Sequence, residues 1–96
     1  MSRRTPVKFR LYVADDSPNS ALAVANLTAF SNAYLPGRHQ IELVDVFREP
    51  ERALADGIFM TPTLLKLAPY PTRKIIGTLS QMGPMIQACG LDPAIE

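Results

Sequence analysis

The sequence predicts an α/β domain in the order strand, helix, strand, helix, strand, strand, helix (βαβαββα), with a mixed four-stranded sheet. Three observations carry this. Two apolar runs, Val7 to Ala14 and Gln40 to Phe47, flank a long segment of helical spacing, the pattern of a right-handed parallel crossover. Thr61-Pro62-Thr63 then opens a third apolar run, since a proline without a backbone donor suits a strand's first position. A turn holding Pro69 and Pro71 joins that run to a β-branched fourth, as in a hairpin. A length of 96 residues with 47% apolar content suits one domain over the whole chain, 1–96.

The first strand alternates Lys8 and Arg10 with apolar residues and then becomes continuously apolar, as a strand entering a core does. Asp15, Asp16, Ser17 and Pro18 supply a turn and a helix start, with Ser17 as N-cap and Pro18 at the first helical position. Ser20, Ala23, Val24, Leu27, Phe30 and Tyr34 recur at three- and four-residue spacing, and Pro36 with Gly37 ends the pattern. No residue from Ser17 to Gly37 is charged. The face bearing Ala21, Ala25, Thr28, Ala29 and Asn32 therefore fits either the domain's own packing, a self-contact, or a docking surface for another protein.

The run from Gln40 to Phe47 reads as a second strand with enough apolar character for a central position. Pro50 starts a short polar helix, Glu49 and Glu51 favour its positive end, and Gly57 stops it. A trans bond at Thr61-Pro62 is the commoner form, whereas packing can lock a cis one; both fit the sequence. Tyr70 is presented at a bend between prolines. Thr72 to Gly77 forms the fourth strand. Ser80 can cap a last helix through Leu91, or the helix begins at Pro84 because Gly83 and Pro84 oppose an earlier start; Gly90 ends it and Pro93 prevents extension.

Composition excludes several functions. A net charge of +1 gives no global attraction to nucleic acid or an anionic membrane. The start of the chain (Ser2, Arg3, Arg4, Thr5, Pro6) is basic but lacks a cleavage-site pattern, and no run approaches the ~18 apolar residues of a spanning helix. A soluble cytoplasmic protein is the expectation. The element order, with a proline opening the third strand, resembles the thioredoxin fold. Thioredoxin chemistry needs a Cys-x-x-Cys pair at the start of the first long helix, where Asp15, Asp16, Ser17 and Pro18 stand instead. The single cysteine, Cys89, lies on an apolar helical pattern and reads as a structural thiol. Asp15 and Asp16 suit turn and cap duty better than a metal or acid-base role. His39, the only histidine, reads as a loop residue without companions for zinc or a triad, and no phosphate-binding glycine pattern appears. No catalytic residue, metal or cofactor is expected.

Four segments together resemble the KaiB family: Leu11-Tyr12-Val13-Ala14 with Ser17-Pro18-Asn19-Ser20, Val44-Asp45-Val46 with Glu49-Pro50, Thr61-Pro62-Thr63-Leu64, and Arg73 through Ser80 (Arg-Lys-Ile-Ile-Gly-Thr-Leu-Ser). The resemblance covers nearly the whole chain. It implies a non-enzymatic regulatory protein of a KaiABC-type circadian clock that binds a KaiC-type ring ATPase and modulates its phosphorylation cycle. It also implies a metamorphic second half, with a thioredoxin-like monomer competent for KaiC and a self-associating alternative KaiB fold. A KaiA-like protein, and a histidine kinase with a KaiB-like domain as competitor, are the further partners it suggests.

By position, Lys66, Arg73 and Lys74 match the family's basic partner-binding residues, expected as a cationic cluster on adjacent strands. Pro62, Pro69, Pro71, Gly77 and Thr78 match its switching region. The chain departs from clock-type members in its neutral first helix, in Thr78 where the family has Asp, and in the Gly83-Pro84 pair. With β-branched residues through Ile76 and prolines on either side, the thioredoxin-like form is the expected resting fold. The rival expectation is a thioredoxin-like sensory or stress-response module without a clock role, resembling the KaiB-like input domain of some histidine kinases.

Overall fold

A computed structural model describes residues 6–15 and 17–91. The basic start at Ser2, Arg3, Arg4 and Thr5, the second carboxylate Asp16, and Pro93 lie outside the described residues. The elements are β1 (Val7–Val13), α1 (Pro18–Tyr34), β2 (His39–Asp45), α2 (Pro50–Ala55), β3 (Thr63–Ala68), β4 (Arg73–Ile76) and α3 (Met82–Ala88), in the order read from the sequence. They form one mixed sheet, β2-β1-β3-β4, in which β1 runs parallel to β2 and antiparallel to β3, and β3 and β4 form the antiparallel hairpin.

β1 is central, and its alternating side chains feed two cores. Val7, Phe9 and Leu11 pack with Ala23, Leu27 and Phe30 of α1 and with Met85 and Ile86 of α3. On the other face Tyr12 packs with Val44, Ala53, Ile58 and Leu65 around α2. β2 is an edge strand, not the central one its composition suggested. Its Ile41 and Val44 point to opposite, covered faces, which explains the apolar run, while Leu43 is 50% exposed. Composition reports burial of faces and is silent on lateral pairing. The strand also ends at Asp45, because the Asp45 carboxylate accepts the Phe47 N–H (2.8 Å) and turns the chain, leaving Phe47 exposed. His39 opens this strand instead of lying in the loop, and its Nδ1 donates to the Leu35 carbonyl (2.8 Å).

The helix ends follow local chemistry. Ser17 caps α1 by accepting the Ser20 N–H (3.0 Å), with Pro18 at the helix start. Ser20 is buried, and its hydroxyl accepts the Ala14 N–H, tying the helix to β1. Tyr34 and Val24 are less buried than the predicted stripe required, and Ser31 is enclosed in their place. α2 and α3 end alike: Gly57 and Gly90 take positive φ, and the next residues, Ile58 and Leu91, return N–H groups to Ala53 and Ile86. These are Schellman closures in which Ile58 also packs in the same core cluster as Ala53. α3 starts at Met82, with no side-chain cap from Ser80, and ends before Leu91. Gly83 and Pro84 sit in its first turn, where backbone donors have no helical partner to lose. The bonds Thr61-Pro62, Ala68-Pro69 and Tyr70-Pro71 are cis.

The two faces of α1 make a direct test of this packing. Leu27→Ala should lower unfolding free energy by about 2–5 kcal/mol in urea titrations. Leu22→Ala, on the exposed face at 52% exposure, should change it by less than about 0.5 kcal/mol.

Candidate functional site

The hairpin of β3 and β4 places the sequence-predicted basic residues, and it does not gather them. Lys66 and Arg73 are register partners, as are Leu65 and Lys74. Side chains alternate along a strand, so Arg73 shares the α3 face with Lys66 and Leu64, whereas Lys74 projects to the α2 face with Leu65. The contacts agree: the Lys74 ammonium reaches the Gly57 carbonyl (3.3 Å), beyond the end of α2. Arg73 and Lys74 are exposed. Lys66 is not on the surface: it is 3% exposed, and its Nζ donates to the carbonyls of Pro69 (2.5 Å) and Pro71 (2.6 Å). Burial pushes its ammonium pKa below the ordinary lysine value, with Arg73 adding to the fall and Cys89 opposing it. The single cationic cluster expected from sequence is thus two exposed cations on opposite faces and one buried one.

The switching-region residues surround this hairpin. Pro62 is buried at the entry to β3, with its carbonyl accepting the Gly77 N–H (2.9 Å), while Pro69 and Pro71 lie in the exposed β3–β4 loop. Tyr70 at its tip is 88% exposed. The Thr78 carbonyl accepts from the Asn26 side chain (2.8 Å), which ties α1 to the segment after β4. Sequence reasoning missed the apolar pair Phe59 and Met60, exposed in the loop before Pro62; with Lys74, Ile76 and Gly57 they line a concavity of about 150 Å³ on the α2 face. Two adjacent apolar residues before a turn proline were the available signal.

An ion network that sequence reasoning also missed fixes the α2 side of this surface. Arg10 pairs with Glu42 (2.9 Å) and Asp56 (3.0 Å), and Arg52 pairs with Glu42 (2.7 Å) and Glu49 (3.2 Å). The Tyr12 hydroxyl lies 2.6 Å from Asp56 Oδ2 and 3.0 Å from the Arg52 carbonyl. Burial, reinforced by the Asp56 carboxylate, pushes the Tyr12 hydroxyl up to about 12. The hydrogen bond from Tyr12 and the Arg10 charge hold Asp56 below the ordinary carboxylate range, and Glu42 is held down by both arginines. Cys89 caps the end of α3 half-buried, and burial raises its thiol to about 11, which suits a structural role. The described residues contain no group of three potential metal ligands, and no helix among them is long and apolar enough to cross a membrane.

Comparison with known proteins places the architecture. A family model described as the KaiB domain matches residues 10–86. The chain belongs to the KaiB family. The circadian clock oscillator protein KaiB of Synechococcus elongatus is 38% identical over 92 residues, covering 96% of this chain and 88% of that one. Its counterpart in Acaryochloris marina is 42% identical over 94 residues, covering 98% and 88%. Membership marks the chain as a regulatory protein and not an enzyme. Among solved structures, the N-terminal domain of S. elongatus SasA aligns with TM-score 0.69 at 22% identity, over 100% of this chain and 94% of that one. Mitochondrial thioredoxin 3 of Saccharomyces cerevisiae aligns with TM-score 0.68 at 19% identity, over 91% and 77%. These two likenesses establish the fold of this KaiB-family chain as thioredoxin-like.

The Asp56 clamp carries a pH signature. Its folded pKa is depressed, so its contribution is complete above the ordinary value of 3.8 and is lost as pH falls through the folded value. The urea midpoint of the wild type should therefore fall below that pH. The midpoint of Asp56→Asn should start lower at neutral pH and decline less steeply over the same acid window.

Proposed function

We propose that this KaiB-family protein is a non-enzymatic regulator in a KaiABC-type circadian clock, acting in the cytoplasm by binding a KaiC-type ring ATPase and modulating its phosphorylation cycle. The observation that carries the reading is the free edge of the sheet at β4. It exposes Lys74 beside apolar Ile76, Phe59 and Met60 on one face and Arg73 on the other, and among the described residues no acidic side chain lines three concavities along that strand. An exposed cation on each face of the edge, with apolar groups beside Lys74, fits an acidic partner surface, because charge complementarity steers encounter while the apolar contact holds the complex. Arg73 and Lys74 are the proposed contact residues on the two faces of the edge, and Lys66 contributes from within. The thioredoxin-like conformation, as a monomer, is the competent state in this reading. Pro62, Pro69, Pro71, Gly77 and Thr78 lie in the half that changes fold, and any population of a self-associating alternative would weaken apparent affinity in proportion. A KaiA-like protein and a KaiB-like-domain kinase complete the proposed set of partners.

A second reading, a thioredoxin-like sensory module without a clock, is favoured by the uncharged first helix, which offers an acidic ring surface no cation. One titration separates the two. Labelled protein is titrated with a KaiC-type ATPase from the same source in each nucleotide state, alongside the Arg73→Glu/Lys74→Glu variant. The clock reading expects saturable binding that the double variant weakens by about tenfold or more, with a reduced salt dependence of the on-rate. Absence of binding in both nucleotide states would leave the sensory module as the better account.

A further inference from the structure

Lys66 is an unusual occupant of its position. Its neighbour two residues back on the same strand, Leu64, is a core residue, and its register partners are Phe9 on β1 and Arg73 on β4. A buried ammonium normally needs an anion or a full set of acceptors. Among the described residues no carboxylate forms an ion pair with Lys66, and the neighbouring charge from Arg73 is of like sign. An apolar side chain would suit the core as well. What the ammonium has is two short, charge-assisted hydrogen bonds, to Pro69 and Pro71, residues on either side of Tyr70. The hydroxyphenyl ring of Tyr70 is thereby carried at the outer bend of a loop in which both flanking proline carbonyls converge on one buried charge.

We propose that Lys66 is a positioning residue: its buried ammonium gathers the Pro69 and Pro71 carbonyls, closes the β3–β4 loop, and so holds Tyr70 outward as an aromatic anchor for the partner. Its partner role rests on the ATPase-binding reading above; its ordering of the loop does not. An aromatic with few rotamers on a pinned loop loses little entropy on docking, which is what makes such residues binding hot spots. Lys66 acts through the shape of the loop and never touches the partner.

The wild-type protein gives the first test. The Lys66 ammonium should show its own slowly exchanging 15N–1H signal with couplings across the hydrogen bonds to the Pro69 and Pro71 carbonyl carbons; averaging with the surface lysines would overturn the pin. In Lys66→Met, backbone order parameters at Tyr70 and Thr72 should drop from about 0.85 to below about 0.6 while the rest of the backbone is unchanged. Retained order at both amides overturns the proposal, and this local readout is independent of any change in global stability. Against the ATPase, Lys66→Met and Tyr70→Ala should each weaken binding roughly tenfold, and the double variant no more than the worse single one. Losses that multiply would show that Lys66 acts by a separate route. A wild type that binds no ATPase overturns the anchor role together with the function proposed above, while the signals of the free protein still decide the pin.

Discussion

The central place of β1 constrains the rest of the molecule. It is paired on both edges and covered on both faces, so its inward side chains divide between two cores. On one face the long helix α1 covers it with ordinary apolar packing. On the other the cover is α2, six residues long and too short to be stable on its own. Its C-cap is Asp56, a negative charge at the end where the helix dipole is already negative. β1 supplies the remedy from its own sequence: Tyr12 and Arg10, on the same face, both bind the Asp56 carboxylate. The unfavourable cap thus becomes the attachment point of the helix.

The chain beyond α2 inherits the placement of that helix. With Asp56 fixed, Gly57 turns the chain, Ile58 drops into the core beside Ala53, and the Gly57 carbonyl faces the Lys74 ammonium on β4. The exposed pair Phe59 and Met60 is carried on the span between this turn and the entry to β3. The α2 side of the β4 edge is therefore tied to a clamp two strands away, through one helix end. Its other side depends on Lys66 and the loop it binds. The two exposed cations share a strand but sit on surfaces organised by different interior groups, and so their contributions to binding need not rise or fall together.

Much of this architecture was legible because local chemistry and global fold agree. Ser17 and Pro18 read as a helix start and are one, the glycine stops are helix closures, and the two prolines mark a hairpin loop. Misreadings share a cause: sequence patterns report how apolar a position is, not which groups lie across from it. β2 looked central because both its faces are covered, although one lateral edge is open. Lys66 looked solvated because lysine usually is; only the folded loop brings two carbonyls within reach. The Arg10–Glu42–Asp56 network joins residues up to 46 positions apart in sequence, a spacing that no local pattern carries.

Likeness to thioredoxins establishes a scaffold, and the polarity of the sheet shows why it need not bring their chemistry. The start of α1, where a thioredoxin-type cysteine pair would stand, comes after the C-terminal end of β1 and holds Ser17 and Pro18. The β3–β4 loop lies at the opposite end, because β3 runs antiparallel to β1 and its last residue, Ala68, is paired with Lys8 near the strand's beginning. Lys66, Tyr70 and Arg73 therefore sit a strand's length from the helix start that redox chemistry uses. A neutral, uncharged α1 with a hydroxyl cap has no thiol to activate, while the far hairpin carries one exposed cation on each face, an exposed aromatic and a buried charge that orders the loop between its strands. One scaffold can serve both ends independently, since the sheet fixes each end without requiring anything of the other.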